Sequence, residues 1–177
     1  MAVRDDEVDL LIDAWSRRLP DVDLTPLDVM SRLRRVAARL ARLRAGAFRT
    51  AKLAAWEFDV LAALRRAEPP HQLAPAQLIE RTMTSSAGMS ARLASLMERG
   101  LIERQRNPND GRSILVRITD EGTMRVDLAM RELVRREEEA LAELSPRERA
   151  TLIELLRVLM DDLPDAGDGE DAGADEA

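Results

Sequence analysis

The chain has 177 residues, 45% of them hydrophobic, no cysteine and a formal net charge of −6 at pH 7. That length holds one compact domain with helical extensions, and the absence of cysteine excludes a disulfide framework and thiolate chemistry, as expected of a protein in a reducing cytoplasm. The apolar runs are far short of a membrane span, and no charged stretch followed by an apolar one opens the chain, so neither a membrane segment nor a signal peptide is expected.

The net charge conceals an uneven distribution. From Asp161 onward there are eight acids and no base, which leaves 27 bases against 25 acids in residues 1–160, a net of +2. The end of the chain, DDLPDAGDGEDAGADEA, is rich in Gly, Ala and Asp, and residues 164–177 are expected to form a disordered acidic tail. The body is mildly basic, and its bases fall in two patches. One runs from Arg32 to Lys52, the only lysine in the chain; the other takes in Arg81, Arg92, Arg99, Arg104, Arg106, Arg112 and Arg117.

In chain order, Val8, Leu11, Ile12, Trp15 and Leu19 share one helical face, giving an N-terminal helix within residues 1–20 that Pro20 ends. A linker leads to a long helix in residues 21–53, with Thr25 as cap before Pro26 and a stripe of Met30, Leu33, Val36, Leu40, Leu43 and Ala47. A third helix spans about Ala54 to Ala67 with Trp56, Val60, Ala63 and Leu64 inward, and EPPHQL ends it. Pro75 starts a short helix to about Met83; Ala74 offers no side-chain cap there, which costs about 1 kcal/mol relative to Ser or Thr. Ser85 or Ser86 caps the next helix, with Met89, Leu93 and Leu96 inward and Gly100 as its stop.

Leu101-Ile102 and Leu115–Ile118 are strand-like, and NPNDG between them is turn chemistry. A long helix follows Thr119, with Val126, Met130, Leu133, Glu137, Leu141 and Leu144 on its stripe. Ser145-Pro146-Arg147-Glu148 is a capping box that starts the last helix, carried by Leu152, Leu155, Leu156, Leu159 and Leu163. The terminal helices hold more apolar surface than one small domain needs, so residues 21–53 and 120–163 are expected to form a helical dimer interface.

Two short helices joined by a brief turn and followed at once by an arginine-bearing hairpin form the pattern of a winged helix-turn-helix, here residues 54–119. A bare hairpin is the plain alternative; its position after the two-helix unit favours DNA binding. Between Arg104 and Thr119 stand Arg104, Arg106, Arg112 and Arg117 against the single acid Asp110. An arginine at the hairpin tip can enter a minor groove, and Asp110 can hold the Arg112 guanidinium in a bidentate pair. With its apolar side inward, the helix from Ser86 to Arg99 turns Ser86, Ala87, Ser90 and Ala91 outward, small residues that permit close approach to a major groove. Ser85, Ser86, Ala87, Ser90, Ala91, Arg92, Arg104, Arg106, Asp110 and Arg112 are therefore the expected DNA-binding residues.

The stretch LIERQRNPNDGRSILVRITDEG, together with WEFDVLAALRRAEPPHQLAPAQL and SARLASLMERGLIER, resembles the MarR family of bacterial transcription regulators over roughly residues 27–163. The resemblance implies a mainly α fold: a winged helix-turn-helix with a two-stranded β-wing and long dimerisation helices at both ends. The chain departs from the family pattern at Gly111, Ala74 and Ala91, which bears on sequence preference more than on fold. The added first helix with Trp15 is similar to that of the urate-responsive subgroup. That resemblance implies a pocket for an anionic purine lined by Trp15, Asp59 and Arg92, although Trp15 can be a packing residue and Arg92 a phosphate contact.

Catalysis is not expected. His71 is the only histidine, and there is no cysteine, no tyrosine, no metal-ligand cluster and no Gly-rich phosphate loop. No cofactor is expected. The expected function is a homodimeric regulator, a repressor that binds double-stranded DNA at an inverted repeat and is released by a small anionic ligand such as urate, a related purine or an aromatic carboxylate. The alternative is a dimeric winged-helix interaction module that neither binds DNA nor senses a ligand.

Overall fold

In the computed structural model, α1 (Glu7–Ser16) and α2 (Thr25–Thr50) lead into α3 (Ala55–Arg65), β1 (Gln72–Leu73), α4 (Pro75–Thr82) and α5 (Ser86–Glu98). The strands β2 (Ile102–Asn107) and β3 (Asp110–Ile118) then form the hairpin, and α6 (Asp120–Ala140) and α7 (Pro146–Asp162) follow. The structure describes residues 6–107 and 110–162; the expected acidic tail and the side chain of Arg112 lie outside the described residues. The fold is mainly helical with a small antiparallel sheet in the order β1-β3-β2. The hairpin of β2 and β3 is the expected two-stranded wing, and the sheet adds one strand to it. Gln72 and Leu73, inside the stretch that ends α3, pair with Arg117 and Val116, so a third strand closes the inner edge of the wing.

The chain divides into two units, Met1–Arg136 and Glu137–Ala177. In the first, the core gathers where α2 ends and α3 begins. Phe48 stacks on Phe58 with ring centroids 4.0 Å apart and an interplanar angle of 11°. Around them lie Leu61 and Leu64 of α3, Leu78 of α4, Met89, Leu93 and Leu96 of α5, Val116 and Ile118 of β3, and Val126, Ala129 and Leu133 of α6. Each fully buried Leu or Phe contributes roughly 1.5–3 kcal/mol relative to exposure. The inward side of α5 is the one its sequence period predicts. In α3 the expected Val60, Ala63 and Leu64 are buried, joined by Phe58 and Leu61, while Trp56 is only half-buried at the edge of the core.

The helix ends follow local chemistry. Asp6 caps α1 by accepting from the Val8 N–H at 2.7 Å and the Asp9 N–H at 3.2 Å. Helix α2 starts one residue earlier than expected: Thr25 is its first residue rather than its cap, and its N–H donates to the Asp23 carboxylate at 2.9 Å. Ala74 lacks a cap of its own, yet the Gln77 side chain reaches back to accept its N–H at 2.9 Å, one half of a capping box. Gly100 ends α5 at φ +66°, a left-handed conformation that glycine adopts without strain. Thr119 then links hairpin to α6, donating to the Gly100 carbonyl at 2.8 Å and accepting from the Gly122 N–H at 3.1 Å.

The apolar stripes of α1 and α2 are open in the single chain. On α1, which ends at Ser16 rather than at Pro20, only Val8 is buried; Trp15 is exposed, as is Leu19 beyond the helix, and ion pairs from Arg32 to Asp9 at 2.6 Å and from Arg35 to Glu7 hold α1 on α2. On α2 the residues Met30, Val36 and Leu40 are exposed, as is Met130 of α6. In the second unit Ser145 and Glu148 form the expected capping box, with the Glu148 carboxylate accepting from the Ser145 N–H at 2.8 Å. Arg149 donates to the Leu141 carbonyl at 2.8 Å and to Glu138 at 3.0 Å, fastening the start of α7 to the end of α6. The apolar side chains Leu152, Ile153, Leu155, Leu156, Val158 and Met160 of α7 are exposed.

Two stability outcomes follow from this packing. A Cβ at Gly122 would meet the Leu101 carbonyl oxygen at 2.2 Å and Ile118 Cγ1 at 2.9 Å, so Gly122→Ala is expected to cost about 1–3 kcal/mol, read as a lower urea midpoint. Ser85 accepts the Gly88 N–H at 3.2 Å, so Ser85→Ala should cost about 1 kcal/mol while Ser86→Ala leaves the midpoint in place.

Candidate nucleic-acid interface

Helices α4 and α5 meet at the turn Met83–Ser85. Met83 closes α4 in the left-handed region at φ 48° and its side chain is 95% exposed, while the Thr84 N–H returns to the Ile79 carbonyl at 3.3 Å. Ser85 caps α5, so the start of that helix, with its unpaired N–H groups and partial positive charge, lies at the surface. Ser86, Ala87, Ser90 and Ala91 are all exposed, opposite the buried Met89, Leu93 and Leu96. The Ser90 hydroxyl donates to the Ser86 carbonyl at 3.2 Å and keeps its lone pairs free to accept. A convex helical face of small side chains is what a major groove admits closely.

The wing begins at β2. Arg104 and Arg106 lie two residues apart, so they share one face of the strand, and both are exposed. Arg117 of β3 stands opposite Glu103 and forms an ion pair with it at 3.8 Å, which leaves the cationic surface of this hairpin to Arg104 and Arg106 among the described side chains. Near the tip, Asn107 is in register with Asp110, and the Asn107 amide donates to the Ser113 hydroxyl at 2.9 Å. Asp110 is exposed at the start of β3. The expected Asp110–Arg112 pair falls on a side chain outside the described residues.

Arg92, expected at the DNA or in a ligand pocket, has partners within the chain. Its guanidinium donates to Thr84 Oγ1 at 2.6 Å and stands over the Trp56 ring, 5.7 Å from the centroid. Arg99, at the other end of α5, donates to the Glu57 carboxylate and, at 2.6 Å, to the Lys52 carbonyl. Glu57 is only 4% exposed and also accepts the Ala54 N–H at 2.8 Å. Sequence reasoning passed over Glu57; its place three residues after the helix start was the available signal. Its pairing with Arg99, 42 positions away, leaves no local pattern.

The three residues expected to line a ligand pocket are Trp15, Asp59 and Arg92. Asp59 lines an open cavity of about 380 Å³ bordered by α2, α3, α4 and α6, together with Arg44, Arg66 and Arg81 and the apolar Phe58, Ala62, Met83, Met130 and Leu133. Neither Trp15 nor Arg92 is part of that lining. Trp15 is 46% exposed on α1, which packs on α2. The cavity has the composition of an anion site with an apolar floor: three guanidiniums, one carboxylate, and aliphatic, aromatic and thioether side chains. Among the described residues no group of three or more His, Cys, Asp or Glu could hold a metal ion, and no helix is long and apolar enough to cross a membrane.

Residues 52–113, from the end of α2 through the hairpin, match the model of the MarR family. The HTH-type transcriptional regulator PecS of Dickeya dadantii (strain 3937) is 33% identical over 150 residues, which cover 85% of this chain and 90% of PecS. Among solved structures, a mutant MarR from E. coli complexed with operator DNA superposes with a TM-score of 0.64 at 25% identity, covering 78% of this chain and 99% of that one. A probable transcriptional regulator from Pseudomonas aeruginosa superposes at 0.59 with 29% identity, covering 72% and 92%. The helix-turn-helix, the arginine-bearing wing and the PecS likeness across both together show that the chain belongs to the MarR family of winged helix-turn-helix, DNA-binding transcription regulators.

Proposed function

We propose that the protein is a ligand-responsive repressor that binds an inverted-repeat operator as a homodimer. The observation that carries this reading is the exposed small-residue face of α5, Ser86, Ala87, Ser90 and Ala91, on the lobe that also carries Arg104 and Arg106. Ser85 and Ser86 would meet phosphate at the helix start, and the small face would lie against base edges. Arg104 and Arg106 would contact the flanking backbone, and Asp110 would aim Arg112 into the minor groove. Membership in a DNA-binding family favours this over an interaction module without DNA binding.

Homodimerisation is supported by uncovered apolar surface. In the second unit α7 exposes Leu152, Ile153, Leu155, Leu156, Val158 and Met160, and in the first unit α2 exposes Met30, Val36 and Leu40. Isolated exposed apolar residues are ordinary, but runs of them at helical spacing are a cost in water that a second copy removes. A two-fold dimer presents two α5 helices, so half-sites about one helical turn apart are expected. A cytoplasmic location suits a repressor of this kind.

The ligand is a small planar anion such as urate, a related purine or an aromatic carboxylate. Its best-supported seat is the cavity at Asp59, where Arg44, Arg66 and Arg81 supply cations, Asp59 accepts from ligand N–H groups, and Phe58, Met130 and Leu133 form apolar walls. The cavity touches α4 and Met83 of the helix-turn-helix as well as α2 and α6, so an occupant can favour one placement of the reading lobe over another.

Two measurements test the reading. Arg112→Ala should weaken operator binding several-fold and lower the log–log salt slope by up to about one unit per subunit, because a phosphate-facing cation releases a counterion. Operator binding unchanged at every salt concentration would remove the wing from the interface. Urate or xanthine should weaken operator binding by roughly 5- to 150-fold, the usual range of allosteric coupling, and Asp59→Ala should erase that response. If urate, xanthine and simple aromatic carboxylates at millimolar concentration all leave operator affinity unchanged, the ligand reading is wrong.

A further inference from the structure

The reading helix carries two arginines, Arg92 and Arg99, seven residues apart. At 3.6 residues per turn they fall on one side of α5, roughly 160° from the middle of the face made by Ser86, Ala87, Ser90 and Ala91. Both guanidiniums are used inside the protein. Arg92 holds Thr84 Oγ1 and the Trp56 ring; Arg99 holds the Glu57 carboxylate and the Lys52 carbonyl. Trp56 and Glu57 are consecutive residues in the first turn of α3. Thus the middle of α5 and its end are fastened, two turns apart, to a single turn of another helix.

We infer that Arg92 and Arg99 are positioning residues that set the pitch at which α5 enters the groove, and that neither contacts DNA. Two attachment points on one rigid turn fix both the height and the tilt of α5 against α3, which one attachment cannot do. The seat is itself immobilised. Glu57 accepts the Ala54 N–H at 2.8 Å, and Phe58, the next residue, is buried against Phe48. The Lys52 carbonyl belongs to a residue in the left-handed region, φ 55°, so the corner between α2 and α3 is shaped to offer that oxygen to Arg99. Glu57, 4% exposed, has its charge met by Arg99; without it a nearly buried carboxylate would lack its cation. Arg92 also ties α5 to Thr84 in the turn before it, so the angle between α4 and α5 is set by the same side chain.

The inference assumes that α5 is the helix that reads the operator, and the experiment separates the two ideas. Operator and random-sequence duplexes are titrated at several salt concentrations with the full chain and with Arg92→Ala, Arg99→Met, Arg99→Lys, Glu57→Gln and, as a check on α5 itself, Ser90→Glu. Each variant is first matched for helicity by circular dichroism. Arg92→Ala and Arg99→Met are expected to lose operator affinity by roughly 5- to 150-fold, the worth of one misaligned base contact, with random-sequence affinity and the salt slope unchanged. Glu57→Gln should reproduce Arg99→Met, and Arg99→Lys should recover part of the loss.

In a Trp15→Phe background, Trp56 is the only emitter left, and Arg92→Ala should change its emission in the free protein. A salt slope lower by about 0.9 per contact, with an equal loss on random DNA, would make these arginines phosphate contacts and overturn the inference. Unchanged operator affinity, or unchanged Trp56 emission, would overturn it as well. If Arg99→Met does not fold, Glu57→Gln and Arg99→Lys decide the Arg99 arm by the same criteria. Should Ser90→Glu bind operator normally, the assignment of α5 as the reader fails, whatever the arginines do.

Discussion

The Glu57 carboxylate is the constraint around which the DNA-binding lobe is arranged. A carboxylate this far from solvent is costly unless a cation and hydrogen-bond donors meet it, and here one side chain answers three needs. It accepts the Ala54 N–H that opens α3, it receives the Arg99 guanidinium from the end of α5, and it precedes Phe58, whose ring stacks on Phe48 of α2. The end of α2, the start of α3 and the end of α5 therefore converge on one turn. The remaining parts of the lobe, α4, the turn at Met83 and the hairpin, are placed relative to that turn through the apolar core.

Charge in this protein is sorted by what it faces. Some arginines are held by acids of the same chain: Arg32 and Arg35 bind α1 to α2, Arg65 forms a two-point pair with Asp127 of α6, and Arg117 meets Glu103. Arg104 and Arg106 lie on the exposed face of the wing, and Arg66 and Arg81 line the cavity at Asp59. Exposed ion pairs of the first kind contribute little to stability, typically 0–1 kcal/mol each. Their larger effect is electrostatic: they remove cations from some surfaces and leave the basic character on those suited to phosphate or a small anion.

Much of the fold was legible because it depends on near neighbours in the chain. The inward face of α5, its stop at Gly100, the capping box at Ser145 and the turn chemistry of the hairpin all arise from residues within one or two turns, so periodicity and capping rules reach them. The small outward face of Ser86, Ala87, Ser90 and Ala91 follows from the same period once Met89, Leu93 and Leu96 are taken as core. Other stripes find no cover within one chain. Trp15 and Leu19, Met30, Val36 and Leu40 have the right spacing for burial and are exposed, and those of α2 lie on a helix expected at a dimer interface. Apolar periodicity tells which side of a helix avoids water without telling what covers it.

By itself the sequence determined the order of the helices and the hairpin, the mainly helical class, the winged helix-turn-helix pattern and its family, because each rests on local propensity, short-range hydrogen bonding or a contiguous motif. The tertiary structure alone decided what the long side chains of distant elements do. Arg92 reached Thr84 and Trp56; Arg99 found Glu57; Gln72 and Leu73 joined the sheet; and Asp59 acquired the company of Arg44, Arg66 and Arg81. An arginine spans several ångströms through many rotamers of similar energy, so its partner is chosen by which acceptor or ring the packed backbone brings within reach, and no spacing along the chain encodes that.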